Sequence, residues 1–285
     1  MGHSEPEITP FLKARRAALG PAAVGLPDGL VRRRVRGLRR EEVAQLAGIS
    51  VDYYTRIEQG RANAISDSVL DAIARALRLN PAEHTYLRNV AQPRRREADP
   101  VPRQRVRPQI RQLLDALDDT VPAFVYGHGM DILAWNRLGG AMSFDLAALP
   151  ERERNAARLL FLHPDAKALH PDWEETAVDV VAALRAEAGR HPHLLCRLLC
   201  ELLERSPDFR RQWEAQAVTE RTSGVKRIMN PRVGEVRVTF EALRLPSDEG
   251  QLLCTYTAER GSPSEAALRE LARLTAEPAA LAGRG

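Results

Sequence analysis

Two short helical segments on either side of a glycine constrain the fold of this chain more than any other feature. They lie in residues 39–60, RREEVAQLAGISVDYYTRIEQG. The apolar side of the first segment consists of Val43, Ala44 and Leu46. Gly48 permits a tight turn, and Ser50 is a favourable N-cap for a second helix that ends near Gly60. Two short helices joined through a glycine-containing turn predict a helix-turn-helix motif.

Periodic apolar residues predict three further helices around this pair. One covers Ile8 to Leu19. Another is capped by Ser66 or Asp67, and its buried stripe is Val69, Leu70, Ile73, Ala74 and Leu77. A fifth begins at Asn80-Pro81, because proline is tolerated at the first helical position. Residues 5–92 are therefore predicted to form an all-α domain of five helices.

The positive charge of the chain is concentrated in this first part. The chain carries 42 Lys and Arg against 38 Asp and Glu, and residues 1–100 hold 17 of the basic and 12 of the acidic side chains. Only three of the basic residues are lysines, so most are guanidinium groups, whose forked donors suit phosphate. An excess of basic groups in one domain favours a polyanionic partner. We expect Arg32, Arg33 and Arg34, in the loop before the motif, to contact phosphate or the minor groove.

The motif resembles the phage-repressor-like (XRE, Cro/C1-type) family of DNA-binding domains. The matching residues are Glu42-Val43-Ala44, Gly48-Ile49-Ser50 and Arg56-Ile57-Glu58-x-Gly60. The resemblance implies that the second helix of the motif enters the major groove with its first side chains near base edges. The DNA-contacting residues that it implies are Arg40, which would bind phosphate, and Ser50, Val51, Asp52, Tyr53 and Arg56.

Other residues of the motif have different expected roles. Tyr54 and Ile57 fall on the inward face, and Glu58 is expected to bind a neighbouring arginine. Arg39 stands where the family usually has Ser or Thr, which leaves the first residue of that helix open. For Tyr53, groove contact and surface packing are both open. Asp52 either reads a cytosine amino group or favours the helix N-terminus.

The second half of the chain has a different pattern and follows a linker rich in proline and arginine, 93–107. Two apolar runs, 121–127 and 130–136, flank Gly127-His128-Gly129 and predict a β-hairpin. Helices are predicted at about 108–118, 137–148, 151–162, 172–189 and 194–204, with another beginning at Phe209. Two strands are predicted near the end of this region, one through Val233, Val236, Val238 and Phe240 and one through Leu252, Leu253, Thr255 and Tyr256. This order predicts an α+β domain with one antiparallel sheet over 108–263, followed by a tail, 264–285.

This half resembles the ligand-binding domain of MmyB-like regulators, a branch of the same repressor family. The recognisable pieces are DILAWNRL (131–138), ERNAARLLFLHP (153–164), DWE (172–174), SPDFRRQW (206–213) and ERTSGVKRIMNPRVGEV (220–236). The resemblance implies a PAS-like fold that holds a small apolar molecule, with fatty acid a plausible class, and no other cofactor. One departure is Asn230, where relatives commonly have histidine.

Candidate ligand contacts are the residues that would line an aromatic pocket with a few polar anchors. They are Trp135, Asn136, Phe161 and Trp173, each of which serves equally well as an ordinary core aromatic or a cap. Arg221 and Lys226 are candidates for holding a carboxylate, or are surface charges.

Several function classes are disfavoured by the sequence. No apolar run approaches the ~20 residues of a membrane-spanning helix, and the first residues lack an apolar signal segment, so we expect a cytoplasmic protein. No nucleophile elbow, phosphate loop or HExxH pattern is present, so we expect no enzyme, and a DNA-targeted enzyme ranks last.

The function expected from the sequence is a DNA-binding transcriptional regulator, a homodimer on a double-stranded operator, whose second domain senses a small apolar ligand. Two alternatives stay open. The second domain could bind a protein partner instead. Alternatively, Cys196 and Cys200, which share one helix face near His191 and His193, could make a metal- or thiol-responsive regulator; no metal site is assigned, because their spacing matches no common zinc signature.

Overall fold

The N-terminal domain is a bundle of five helices. The computed structural model of the protein describes residues 7–26, 37–92, 104–117, 120–220 and 222–276. The five helices are α1 (Ile8–Ala18), α2 (Arg40–Ala47), α3 (Val51–Glu58), α4 (Asp67–Ala76) and α5 (Pro81–Ala91). Their apolar faces meet in one core that includes the fully buried Phe11, Leu70 and Leu87. The predicted all-α domain with a helix-turn-helix is confirmed.

The C-terminal domain is α+β, as predicted, with one antiparallel sheet. Its strands are β1 (Ala123–Tyr126), β2 (Ile132–Trp135), β3 (Ser223–Asn230), β4 (Gly234–Arg244) and β5 (Leu252–Thr257), in the spatial order β2-β1-β5-β4-β3. Its helices are α6 (Pro108–Ala116), α7 (Arg137–Gly140), α8 (Ala156–Leu162), α9 (Ala166–Leu169), α10 (Trp173–Arg190), α11 (Pro192–Arg205), α12 (Pro207–Glu214) and α13 (Pro263–Ala276). None of the helices in the described ranges has the length and apolar character needed to cross a membrane.

The two faces of the sheet are covered differently. On one face, α6 packs through Ile110 and Leu114 against Val125 and Leu253. The other face presents aromatic and apolar side chains of β1, β4 and β5 toward the inserted helices. The predicted hairpin is present, since β1 and β2 pair antiparallel with Phe124 opposite Trp135.

One strand, β3, is absent from the sequence prediction. Along this edge strand both faces carry apolar and polar residues: Ile228 and Asn230 are buried and Lys226 is half-buried, whereas Val225 and Met229 are 53% and 38% exposed. The apolar-polar alternation that normally identifies a half-buried strand is therefore missing from this segment.

Two predicted helices are shorter than expected. The helix predicted over 137–148 ends at Gly140, because two consecutive glycines give the chain little helical preference. The helix predicted over 151–162 begins as α8 only at Ala156, where the Asn155 side chain accepts a hydrogen bond from the Arg158 backbone N–H at 3.0 Å. This cap fixes the first turn of α8.

The predicted boundary between the C-terminal domain and a tail, 264–285, falls inside a helix. Ser264 lies within α13, and Leu268 and Leu271 of this helix are fully buried. Leu268 joins the core that covers the sheet, so the described part of the segment packs as part of the C-terminal domain.

Candidate DNA interface and ligand cavity

The turn between α2 and α3 is fixed by the residues that predicted it. Gly48 adopts φ 66°, a left-handed conformation that glycine takes at little cost. The Ser50 hydroxyl then accepts a hydrogen bond from the Tyr53 backbone N–H at 3.2 Å and caps α3. At the start of α2, where Arg39 replaces the usual capping hydroxyl, the Glu42 carboxylate accepts a hydrogen bond from the Arg39 backbone N–H at 2.7 Å. Helix α2 therefore begins at Arg40.

Helix α3 separates its side chains into an exposed and a buried set. Ser50, Val51, Asp52 and Arg56 are exposed, and Tyr53 is half-buried against the core. The first residues of α3, expected to lie near base edges, are thus free of intramolecular cover. Tyr54 and Ile57 are fully buried, which confirms their predicted inward orientation.

A buried carboxylate holds the helix-turn-helix together. Glu58 has no exposed surface, and its two oxygens accept hydrogen bonds from Arg16 Nε at 2.9 Å and Arg40 Nε at 2.9 Å. Burial would raise the pKa of Glu58, but the two guanidinium groups outweigh it and lower the pKa below its ordinary value. The predicted contact between Glu58 and an arginine is confirmed. Arg40, the expected phosphate ligand, is 38% exposed while it makes this contact.

The remaining predicted DNA contacts, Arg32, Arg33 and Arg34, lie outside the described residues. Their expected role stays a prediction.

A cavity of about 500 Å³ lies between the sheet and α10. Its walls come from inward-facing residues of the sheet, among them Tyr126, Phe240, Cys254 and Tyr256, and from one side of α10 that includes Thr176, Val180 and Ala183. A smaller cavity of about 90 Å³ adjoins it and shares Tyr126, Val180, Lys226 and Tyr256 as walls. The volume is in the range of small-molecule sites.

The inner part of the cavity holds polar groups in neutral form. Burial raises the pKa of Tyr126, Cys254 and Tyr256, so these groups stay protonated at neutral pH. Burial, with the nearby charge of Lys226, lowers the pKa of His170 to about 4. Lys226 lies 4.9 Å above the ring of Phe240. The inner walls thus combine aromatic surface, neutral polar groups and one lysine.

Of the predicted ligand contacts that lie in the described residues, one lines the cavity. Lys226 lines it, and Arg221 lies outside the described residues. Asn136 instead caps α7 and accepts a hydrogen bond from the Ala123 backbone N–H at 3.0 Å. The indole of Trp135 lies against Gly140 and Arg154.

Phe161 and Trp173 belong to the helical core. Their rings meet edge to face at 5.7 Å, and Trp173 donates a hydrogen bond to the Leu160 carbonyl at 3.0 Å. Neither is among the walls of the two cavities.

Sequence reasoning did not select the tyrosines Tyr126 and Tyr256 as site residues. A signal was present, because both stand at alternate positions of predicted strands, where inward-facing residues of a half-buried sheet occur. The alternating pattern does not distinguish the inward positions that a helix covers from those that face a cavity.

The cysteine pair predicted as an alternative sensor lies on α11. Cys196 and Cys200 are both exposed, and the neighbouring Cys196 raises the pKa of Cys200. Among the described residues, three or more histidine, cysteine or acidic side chains do not gather into a possible metal site anywhere. The proximity of the two thiols follows from their spacing of one helical turn.

Helix α10 links the cavity to the DNA-binding domain. One side of its second half lines the cavity through Ala183 and Glu187. Ala186, on another side of the same turn, is buried in the core of the N-terminal domain. Gly189 lies directly against the ring of Tyr86 in α5.

A buried arginine strengthens the same junction. Arg185 of α10 has no exposed surface and lies 3.8 Å from the centre of the Trp213 ring, and it donates a hydrogen bond to the Trp213 carbonyl. From the other domain, Glu7 approaches Arg185 at 3.8 Å and accepts a hydrogen bond from the Tyr86 hydroxyl at 3.1 Å. On the side of the DNA-binding domain these contacts come from α5 and from the residue before α1, while the first side chains of α3 remain exposed.

Comparison with known families identifies both halves of the chain. Residues 11–87 match the family model of a helix-turn-helix domain. Residues 106–271 match the family model described as the MmyB-like transcription regulator ligand binding domain. No curated protein matches the chain. Because the second match covers more than half of the residues, the chain belongs to the MmyB-like transcription regulator family, and it is a DNA-binding regulator with a ligand-binding domain.

Proposed function

We propose that this MmyB-like regulator is a one-component sensor in which a small, largely apolar molecule, with fatty acid a plausible class, occupies the cavity beside α10 and changes the affinity of the helix-turn-helix for its operator. The proposed protein is a cytoplasmic, non-enzymatic homodimer. It uses no cofactor other than this ligand.

One observation carries the proposal: α10 is a wall of the cavity and, at Ala186, part of the N-terminal core. A ligand that binds the protein more tightly when α10 lies in one placement than in another shifts the equilibrium toward the first placement. Because the domain junction does not cover Val51, Asp52 or Arg56, the ligand would act on the orientation of the DNA-binding domain and not by blocking its recognition helix.

The lining supports an apolar ligand with few polar groups. Tyr126, Phe240 and Tyr256 supply aromatic surface, and the adjoining small cavity extends the apolar walls through Met142 and Leu159. An extended aliphatic chain suits a wide cavity that continues into a narrow one.

Homodimerisation would convert a movement of α10 into a change of operator affinity. Repressor-type domains commonly bind two half-sites, whose spacing must match that of the recognition helices. A change in domain orientation within each protomer alters this spacing and hence the affinity for DNA.

The ligand part of the proposal is tested by mass spectrometry of the purified full chain. Native and denatured spectra are compared. A co-purifying species of lipid mass that dissociates on denaturation supports the proposal and identifies the compound to add to DNA-binding assays. If such compounds neither bind nor change operator affinity, the second domain has a different partner, with a protein as the next candidate.

The DNA part is tested on an operator selected from random duplexes by the full chain. Arg56→Ala is expected to weaken operator binding by about 1–3 kcal/mol and to relax sequence preference at one position, as loss of a base contact does. Arg40→Ala is expected to weaken binding to all sequences and to reduce its salt dependence, as loss of a phosphate contact does. Arg75→Ala, at an exposed position of α4, removes the same charge and serves as the control. Equal effects of all three substitutions would contradict the assignment of Arg40 and Arg56 as DNA contacts.

A further inference from the structure

One wall of the cavity carries a carboxylate that bridges two arginines. Glu220 lies between Arg190, the last residue of α10, and Arg244, the last residue of β4. One of its oxygens contacts Arg190, and the other accepts a hydrogen bond from Arg244 Nη2 at 2.9 Å. All three side chains are walls of the cavity.

This ion cluster joins the two segments that the C-terminal domain inserts into the core of the N-terminal domain. Ala186 lies one turn before Arg190, and Val218 lies two residues before Glu220. Both are buried in the N-terminal core, with 3% of each residue exposed. The contact between Arg190 and Glu220 therefore ties together the two insertions.

The segment that carries Val218 also contacts the DNA-binding domain through Arg15. Arg15 of α1 donates hydrogen bonds to the carbonyls of Ala215 and Gln216 at 3.3 and 3.1 Å. Glu220 is the next charged residue along the segment, and beyond it Ser223 begins β3. A change at Glu220 thus acts on Val218 across only two residues.

We propose that Arg190 and Arg244 form a subsite for the carboxylate head of an amphiphilic ligand, and that this head displaces Glu220 and loosens the segment 215–220 from the DNA-binding domain. The inference rests on the proposed function, because the apolar part of the same ligand fills the cavity. It adds the position of the head, the residues that bind it and the internal group that it replaces.

The chemistry of this wall favours a carboxylate. Guanidinium groups are strong donors to carboxylate oxygens, and Glu220 already bridges the two arginines with one oxygen on each. Another carboxylate of the wall, Glu187, is engaged by His128 Nδ1 at 2.8 Å and by the Gly129 backbone N–H at 3.1 Å. A ligand head therefore competes with Glu220 for the two arginines.

Displacement of Glu220 is energetically accessible. Displacement breaks two ion pairs, in which the side chains of Arg190, Arg244 and Glu220 are 30%, 66% and 31% exposed, and solvent weakens ion pairs of such partly exposed groups. A ligand head that takes the place of Glu220 restores a contact to both arginines, and burial of the apolar part in the cavity favours binding further. By linkage, a ligand that loosens the segment binds more tightly when the segment is already loose.

The experiment is calorimetric titration of the full chain with dodecanoate and with dodecanol, which share an apolar chain and differ in the head. The variants are Arg244→Gln, Glu220→Gln and Lys226→Met, and Arg269→Gln is the matched control for loss of an exposed arginine. We expect Arg244→Gln to weaken dodecanoate binding by on the order of tenfold and to leave dodecanol unchanged, as loss of a charge-assisted hydrogen bond does. We expect Glu220→Gln to tighten dodecanoate binding several-fold, because it removes the competing carboxylate.

Hydrogen exchange of the same samples reports the second half of the proposal. Dodecanoate is expected to raise amide exchange in residues 215–220 and in α1, and dodecanol is not. Glu220→Gln is expected to raise exchange there without any ligand.

The outcomes separate the two proposals. If both compounds bind but Arg244→Gln does not distinguish them, the head lies elsewhere and this inference is overturned while the proposed function stands. Loss of the preference for dodecanoate in Lys226→Met alone also overturns it, since the head would then lie inside the cavity. If neither compound binds, the apolar-ligand proposal and this inference both fall.

Discussion

Gly189 of α10 lies directly under the ring of Tyr86 of α5, so that a Cβ at Gly189 would stand 2.5 Å from Tyr86 Cδ2. This close approach joins a helix of the ligand-binding domain to a helix of the DNA-binding domain. Real Cβ atoms do not come so near a ring carbon, so only glycine allows the two helices their present separation.

Gly189→Ala is therefore expected to push α10 and α5 apart. We expect a loss of about 1–3 kcal/mol in the free energy of unfolding, typical of overpacking, measured by urea denaturation. Limited proteolysis should cleave the interdomain segments faster. Gly20→Ala, where the added methyl meets open space, is the control. In a Tyr86→Ala background, where the clashing ring is gone, Gly189→Ala should cost less than it does in the wild type; a purely additive result would place the strain elsewhere.

Glu58→Gln is expected to destabilise the DNA-binding domain by about 3 kcal/mol, because it leaves the charges of Arg16 and Arg40 without their buried partner. In the wild type, the contribution of ionised Glu58 to the free energy of unfolding is fully present above the ordinary carboxyl pKa. It is lost as the pH falls through the lowered pKa of Glu58. Thermal unfolding at pH 7 measures the effect, and Glu41→Gln, at an exposed position of α2, should change stability by no more than about 0.5 kcal/mol. Equal losses for the two variants would show that the buried network contributes nothing.

His170→Asn is expected to remove part of the acid sensitivity of the protein. The pKa of His170 in the folded state is about 4, below its value in the unfolded chain, so the unfolded chain takes up this proton first as the pH falls. The wild type should therefore lose up to about 3 kcal/mol between pH 6.5 and pH 4 through this group. Urea denaturation across this range, with His193→Asn at an exposed position as control, checks the difference; parallel curves for wild type and His170→Asn would contradict it.

Ala183→Phe is expected to abolish ligand binding without unfolding the protein. Ala183 faces the cavity of about 500 Å³, which has room for a phenyl ring, so the substitution fills ligand space without overpacking the core. Titration with dodecanol measures binding, and circular dichroism confirms the fold. Ala266→Phe, on the exposed face of α13, should bind as the wild type does. Unchanged binding by Ala183→Phe would move the ligand to another site.

Local sequence signals predict the elements that depend on residues close together in the chain. Gly48, Ser50 and the apolar spacing around them predicted α2 and α3 because capping and turn formation involve residues that are neighbours in the chain. The hairpin of β1 and β2 was predicted for the same reason. The strand β3 is not predicted, because its apolar residues lie on both faces: Ile228 is buried, whereas Val225 and Met229 face outward at the edge of the sheet.

The candidate ligand residues show the limit of this approach. Trp135, Phe161 and Trp173 are predicted as candidates because an aromatic-lined pocket suits an apolar ligand; the structure packs them in cores beside the cavities, and they are not among the cavity walls. The walls instead come from strands and a helix far apart in the chain, such as Tyr126, Val180 and Tyr256.

The helix-turn-helix and the class of each domain were already present in the sequence, because they follow from local capping and periodicity, and the resemblance of its motifs pointed to the family. The position of the cavity, the bridge that Glu220 makes between Arg190 and Arg244, and the double membership of α10 in the cavity wall and the N-terminal core became known from the three-dimensional packing. Each of these depends on contacts between residues distant in the chain, whose geometry is set by the packing of whole helices against the sheet.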